Sequence, residues 1–119
     1  MGNKEIIDSK VLDSLLEAVG GDGEFLAELL ETYFADSPQQ FAAMHKALED
    51  ENPDEFRRAA HSLKSNSANF GAMGLSEIAK QLEQLGKEEQ LENAADPLEE
   101  AEAQYINVKS ALEMIQKND

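Results

Sequence analysis

The chain has 119 residues and no cysteine, and its 25 acidic side chains outweigh ten basic ones to give a formal charge of −15. At this length one hydrophobic core that buries roughly two thirds of the unfolded surface is enough, and without cysteine neither a disulfide framework nor a thiolate zinc site can form. The negative charge repels phosphates and so argues against a nucleic-acid role.

No apolar run nears the ~20 residues that span a bilayer, and the start MGNKEIIDSK lacks the long apolar stretch of a secretory signal. A cytoplasmic protein with no membrane association is expected, formed as one domain over residues 1–119. The first six residues echo a myristoylation site, but Ile6 stands where that signal needs Ser or Thr, so a plain terminus is expected.

Apolar residues recur every three to four positions along nearly the whole chain, and no run alternates as a strand does. Asp8 caps a short first helix with Val11, Leu12, Leu15, Leu16 and Val19 on one face, and Gly20 and Gly21 stop it. Asp22 caps a long second helix with Phe25, Leu26, Leu29, Leu30, Tyr33, Phe34, Phe41, Met44 and Leu48 inward. Phe34 and Phe41 stay in phase across Pro38, so one kinked helix is expected there.

Asn52, Pro53 and Glu55 open a third helix as N-cap, first-turn proline and capping-box partner. Phe56, Ala59, Ala60, Leu63 and Phe70 face inward, and Gly71 is placed to end the helix in a left-handed conformation. A fourth helix with Leu75, Ile78, Ala79, Leu82 and Leu85 inward follows almost at once, so the two form an antiparallel hairpin. Beyond the polar loop GKEEQ, the spacing continues through Leu91, Ala94, Leu98, Ala101, Tyr105, Val108, Leu112 and Ile115. Asp96, Pro97 and Glu99 repeat the start signal, so the last helix either begins there after a separate turn or runs on from Leu91. The expected fold is all-α, an antiparallel four-helix bundle with a short additional N-terminal helix.

The stretch AAHSLKSNSANFGA, residues 59–72, sets one histidine in the third helix. At 100° per residue, Arg57 and Ser65 fall about 40° from His61, Arg58 and Lys64 about 60°, and Ala68 about 20°. Phe56, Ala59, Leu63, Asn66 and Phe70 lie on the opposite, core side, so His61 is expected to be at least partly exposed. No His-x-x-x-His or Glu-x-x-His pair occurs, and the only other histidine, His45, lies on another helix, so no metal site is expected. His45 reads as a residue at the border of the second helix's apolar stripe.

The chain's only arginines, Arg57 and Arg58, stand within four residues of His61, with Lys64 on its other side. Salt screens exposed charges beyond about 8 Å, so this local cluster matters more to an anionic ligand than the global charge does. The same arginines also have Asp54 and Glu55 within one helical turn, where pairing is common and contributes little stability.

With His61, Lys64, Gly71 and Ala72 in register on a helical hairpin, the motif AHSLKSNSANFGA resembles that of histidine-containing phosphotransfer domains, and the likeness extends over nearly the whole bundle. The resemblance implies that His61 is the phosphoacceptor, Lys64 the neighbour that balances the phosphoryl charge, and Gly71 the hairpin hinge. Glu83 falls where the family often has Gln or Glu, and there it orients the ring through the other imidazole nitrogen. Arg57, Arg58, Ser65 and Ala68 would form the partner-facing surface. Ser65 departs from the family, which most often has glycine at that position, and this bears on transfer rate.

A neutral imidazole offers a lone pair without a separate base, and the chain carries no nucleotide-cradling glycine loop, so it is expected to be a carrier and not a self-phosphorylating enzyme. The resemblance implies that receiver domains of response regulators or hybrid sensor kinases are the partners, that the aspartate and Mg²⁺ come from the receiver, and that the carrier itself needs no cofactor. A monomer is expected. Two other readings stand beside this one: an unphosphorylated acidic helical adaptor, and the phosphoacceptor domain of a chemotaxis-type or hybrid sensor kinase.

Overall fold

The first backbone N–H groups of a helix have no acceptor within it, and three of this protein's helices begin where a side chain supplies one. Asp8 accepts from the Lys10 N–H at 3.0 Å, Asp22 from the N–H groups of Glu24 and Phe25 at 3.0 and 3.1 Å, and Asn52 from that of Glu55 at 3.2 Å. The computed structural model describes residues 6–117, so the myristoylation-like start falls largely outside the described residues. Its helices are α1 (Ser9–Ala18), α2 (Gly23–Glu49), α3 (Pro53–Asn69), α4 (Met73–Lys87) and α5 (Ala95–Lys117), with a 3-10 turn over Leu91–Asn93. No strand occurs among the described residues.

Helices α2 to α5 form the antiparallel bundle and α1 lies against α2 and α3 as an accessory. The core runs from Leu26, Leu30, Phe41 and Met44 of α2 through Phe56 and Leu63 of α3 and Leu75 and Leu82 of α4 to Leu98, Val108 and Leu112 of α5. Burial of such side chains contributes about 1.5–3 kcal/mol each. In α1 only Leu12 is buried; Val11, Leu15, Leu16 and Val19 are half-covered.

Pro38 sits inside a continuous α2. Its ring removes the N–H that would meet the Phe34 carbonyl, while the buried Ser37 hydroxyl donates to the Tyr33 carbonyl at 2.7 Å. The Tyr33 hydroxyl in turn shares a 2.8 Å hydrogen bond with Ser67 of α3. Burial, opposed by that bond, pushes the Tyr33 phenol up to about 12.

Three expectations are corrected. Phe25 is 46% exposed: the buried stripe of α2 follows Leu26, Leu30, Tyr33 and Ser37, and Phe25 lies about 100° off it. The capping box at Asn52 is one-sided, because the Asn52 N–H donates to the Ala47 carbonyl at 2.9 Å and Glu55 turns to Arg58. Of the two starts open to the last helix the chain takes the separate turn, Leu91–Asn93, but Asp96 is not its cap: α5 begins at Ala95, and the Leu98 N–H already reaches the Ala94 carbonyl at 3.0 Å. Pro97 is harmless there, because first-turn N–H groups lack intrahelical partners.

Gly71 makes the corner between α3 and α4. Its φ is 82°, a conformation that costs other residues on the order of 1 kcal/mol. Its N–H donates to Ala68 and that of Ala72 donates to Ser67, the paired closure that ends a helix on a left-handed residue. The Asp8 N–H donates to the Gly71 carbonyl at 2.8 Å, which ties the start of α1 to this corner.

Candidate functional site

Because its opposite side supplies the core residues Phe56, Ala59, Leu63 and Phe70, α3 turns His61 outward. The imidazole side chain is 55% exposed. Ser65 on the same face is exposed and Ala68 is half-covered, while Asn66, expected on the core side, is only half-buried.

Across the hairpin, Glu83 of α4 reaches both His61 and Lys64 of α3. His61 Nδ1–H donates to Glu83 Oε2 at 2.7 Å, and Lys64 Nζ donates to Glu83 Oε1 at 2.6 Å. Partial burial of Glu83 raises its affinity for a proton, but the hydrogen bonds and charges of Lys64 and His61 together outweigh that effect and hold its carboxyl below the ordinary value. An ionised carboxylate can only accept, so Nδ1 carries the ring's hydrogen and the lone pair of the neutral imidazole is left on Nε2.

Lys64 is thus held by Glu83 within reach of the histidine face. Arg57 and Arg58 are also engaged: Arg57 lies 2.9 Å and Arg58 3.1 Å from Asp54, and Arg58 lies 3.6 Å from Glu55. Asp54 is held below the usual carboxylate range, chiefly by the Arg57 hydrogen bond. These pairs are exposed, so they tether the arginines without fixing them.

Two residues beneath the site were not singled out from sequence. The buried Ser76 hydroxyl of α4 donates to the Lys64 carbonyl at 3.0 Å, and Gly86 packs on Arg57, where a Cβ would come within 3.0 Å of its backbone N and Cβ. A serine inside the apolar stripe of α4 and a glycine inside its helical pattern are the signals that could have marked them. His45 is apart from the site, with Nε2 3.1 Å from both carboxylate oxygens of Glu102, so it links α2 to α5 at the surface. Among the described residues no group of three or more His, Asp or Glu is placed to hold a metal ion.

The family model described as "Hpt domain" matches residues 28–117. Histidine-containing phosphotransfer protein B from Pseudomonas aeruginosa PAO1 has a similar structure, with 27% identity, a TM-score of 0.89, and coverage of 98% of this chain and 99% of that one. The HPT domain of a sensor hybrid histidine kinase from Shewanella shares the fold at 17% identity and a TM-score of 0.73, over 94% of this chain and 98% of that one. No curated protein matches the chain. With more than half of its length matched, and with an exposed histidine in the motif of the α3–α4 hairpin, this chain belongs to the Hpt domain family of histidine phosphotransfer modules.

Proposed function

We propose that His61 is the phosphoacceptor, taking a phosphoryl group from an aspartyl phosphate of one receiver domain and passing it to another. The observation that carries this reading is the 2.7 Å bond from Nδ1–H to Glu83, which leaves the lone pair on Nε2 of a half-exposed ring. In the step, the Nε2 lone pair forms the N–P bond as the P–O bond to the receiver's aspartate breaks. The electrons of that bond return to the aspartate carboxylate. The ring becomes a phosphoimidazolium that keeps its Nδ1 hydrogen, so no base is required, and the Glu83 carboxylate faces the positive charge that develops.

Lys64 moves from Glu83 toward the phosphoryl oxygens as negative charge accumulates there, and Ser65, Ala68, Arg57 and Arg58 form the surface that a receiver meets. Gly71 serves as the hinge that sets the α3–α4 corner. In the unphosphorylated protein both oxygens of Glu83 are engaged by His61 and Lys64, an arrangement that favours a cation supplied from outside the chain. The divalent cation that neutralises phosphoryl charge is the receiver's, and the protein acts as a carrier. The whole chain, residues 1–119, is read as one such domain, working as a monomer in the cytoplasm.

The test mixes the protein with receiver domains phosphorylated in the presence of Mg²⁺. Acid-labile, base-stable label is expected on the wild type and absent from His61→Gln. Label that survives the substitution would refute the site. Partner binding and output that persist unchanged in His61→Gln, with no label on the wild type, would favour an adaptor.

A further inference from the structure

Charge is divided unevenly along this chain. The α3–α4 hairpin, residues 53–87, holds five of the ten Lys and Arg but only four of the 25 Asp and Glu. It is slightly positive, so the whole of the chain's negative excess lies outside it. Within the hairpin Arg57, Arg58 and Lys64 are paired with carboxylates, whereas Lys80 and Lys87 of α4 have none within 4.0 Å among the described residues.

The position of these two lysines is fixed by the helix. They lie about 20° apart in projection and about 40–60° from Glu83, on the side away from Leu82 and Ile78. Both are exposed. Glu83 bonds to His61 and Lys64, and Gly86, the neighbour of Lys87, rests on Arg57. The two lysines therefore stand about one turn to either side of Glu83, the residue that meets His61, on the outer face of α4.

We propose that Lys80 and Lys87 are docking determinants for a protein partner whose contact face is acidic, and that the carboxylates of the remaining surface turn such a partner toward His61. The inference rests on the phosphotransfer reading and deepens it by stating the charge of the partner's face. An acidic face meets repulsion over most of this protein and two unneutralised cations beside the histidine. Charges at the edge of a contact act mainly on the association rate and its salt dependence.

The test measures transfer from the Mg²⁺-loaded phosphorylated receiver that labels His61 best within a panel, together with calorimetric binding of each panel member to the unphosphorylated protein. Lys80→Glu/Lys87→Glu is expected to lower the second-order transfer constant about tenfold and to flatten its decline with salt. The transfer rate at saturation stays the same. Lys80→Gln/Lys87→Gln gives a smaller effect of the same kind and guards against misfolding, and Lys10→Glu/Lys109→Glu, an equal charge change on α1 and α5, has little effect. Normal labelling with unchanged second-order constants, or a loss confined to the saturated rate, overturns the docking role and leaves the phosphotransfer reading intact. Binding that weakens in the α4 variants without any label on His61 supports docking and overturns phosphotransfer, whereas a panel that neither binds nor labels overturns both.

Discussion

Gly86 of α4 lies so close to Arg57 of α3 that a single methyl group at position 86 would stand 3.0 Å from the Arg57 backbone nitrogen. This approach sets the spacing of the hairpin one turn from Glu83, and so governs the distance over which Glu83 spans to His61. Gly86→Ala gains up to ~1 kcal/mol in helix propensity, but against a rigid backbone the added methyl costs about 1–3 kcal/mol. A net loss of about 1 kcal/mol is expected in denaturant unfolding, with slower phosphoryl transfer. A raised unfolding midpoint would show that the seam has slack.

The role of Glu83 separates by substitution. In Glu83→Gln the side-chain oxygen still accepts from Nδ1–H, but the charge that holds Lys64 and would face a phosphorylated His61 is gone; transfer should slow about tenfold. Glu83→Ala leaves Nδ1 without a partner and the tautomer unfixed, and a loss of about a hundredfold is expected. Single-turnover labelling of His61 reads both, and equal rates for wild type and Glu83→Ala would remove the positioning role.

Acid should loosen the same pair. The folded carboxyl of Glu83 titrates below its ordinary 4.5, so the stability it contributes is present above that pH and is lost as pH falls through the lower folded value. The stability gap between wild type and Glu83→Gln should hold from pH 7 to 5 and narrow below pH 4.5, as urea midpoints across that range will show.

Alkali acts on Tyr33. Its folded phenol is raised from 10.0 to about 12, so its contribution is intact below pH 10 and is lost as pH rises through about 12. Wild type should lose on the order of 2 kcal/mol across this window. Tyr33→Phe, which begins about 1 kcal/mol lower because Ser67 loses its partner, should show a flatter profile. Parallel curves for the two proteins would contradict the buried Tyr33–Ser67 bond.

Gly71→Ala combines a positive φ with a Cβ placed 2.6 Å from the Asp8 carbonyl oxygen. A loss of about 2–4 kcal/mol is expected, with α1 displaced from the corner. Amide exchange at Asp8 and Ala72 would report that displacement, and protection unchanged from wild type would count against it.

Much of this arrangement was legible in the sequence. The caps at Asp8, Asp22 and Asn52, the stop at Gly71 and the outward turn of His61 follow from local rules, because each depends on residues within a turn or two of one another. Glu83 became visible only through family likeness, since its bond to His61 crosses 22 positions and no periodicity encodes it. Ser76 and Gly86 were missed for the same reason: small residues inside apolar stripes look like ordinary core, and their partners lie on the neighbouring helix. Phe25 misled because its hydrophobicity matches the stripe although its angle does not. The basic cluster was visible as composition, but the pairing of Arg57 and Arg58 with Asp54, and the lack of any such partner at Lys80 and Lys87 among the described residues, depend on the fold.

His61, Lys64, Glu83 and the Gly71 corner all come from two consecutive helices, and α2 and α5 enter only as the wall behind them. The candidate site is therefore encoded in a short contiguous block of the gene, and the flanking helices are free to exchange individual residues as long as they keep that wall apolar and their outer faces acidic. Variation between related chains should then concentrate in α1, α2 and α5, where it can retune the field that an approaching partner meets while the α3–α4 hairpin stays in place.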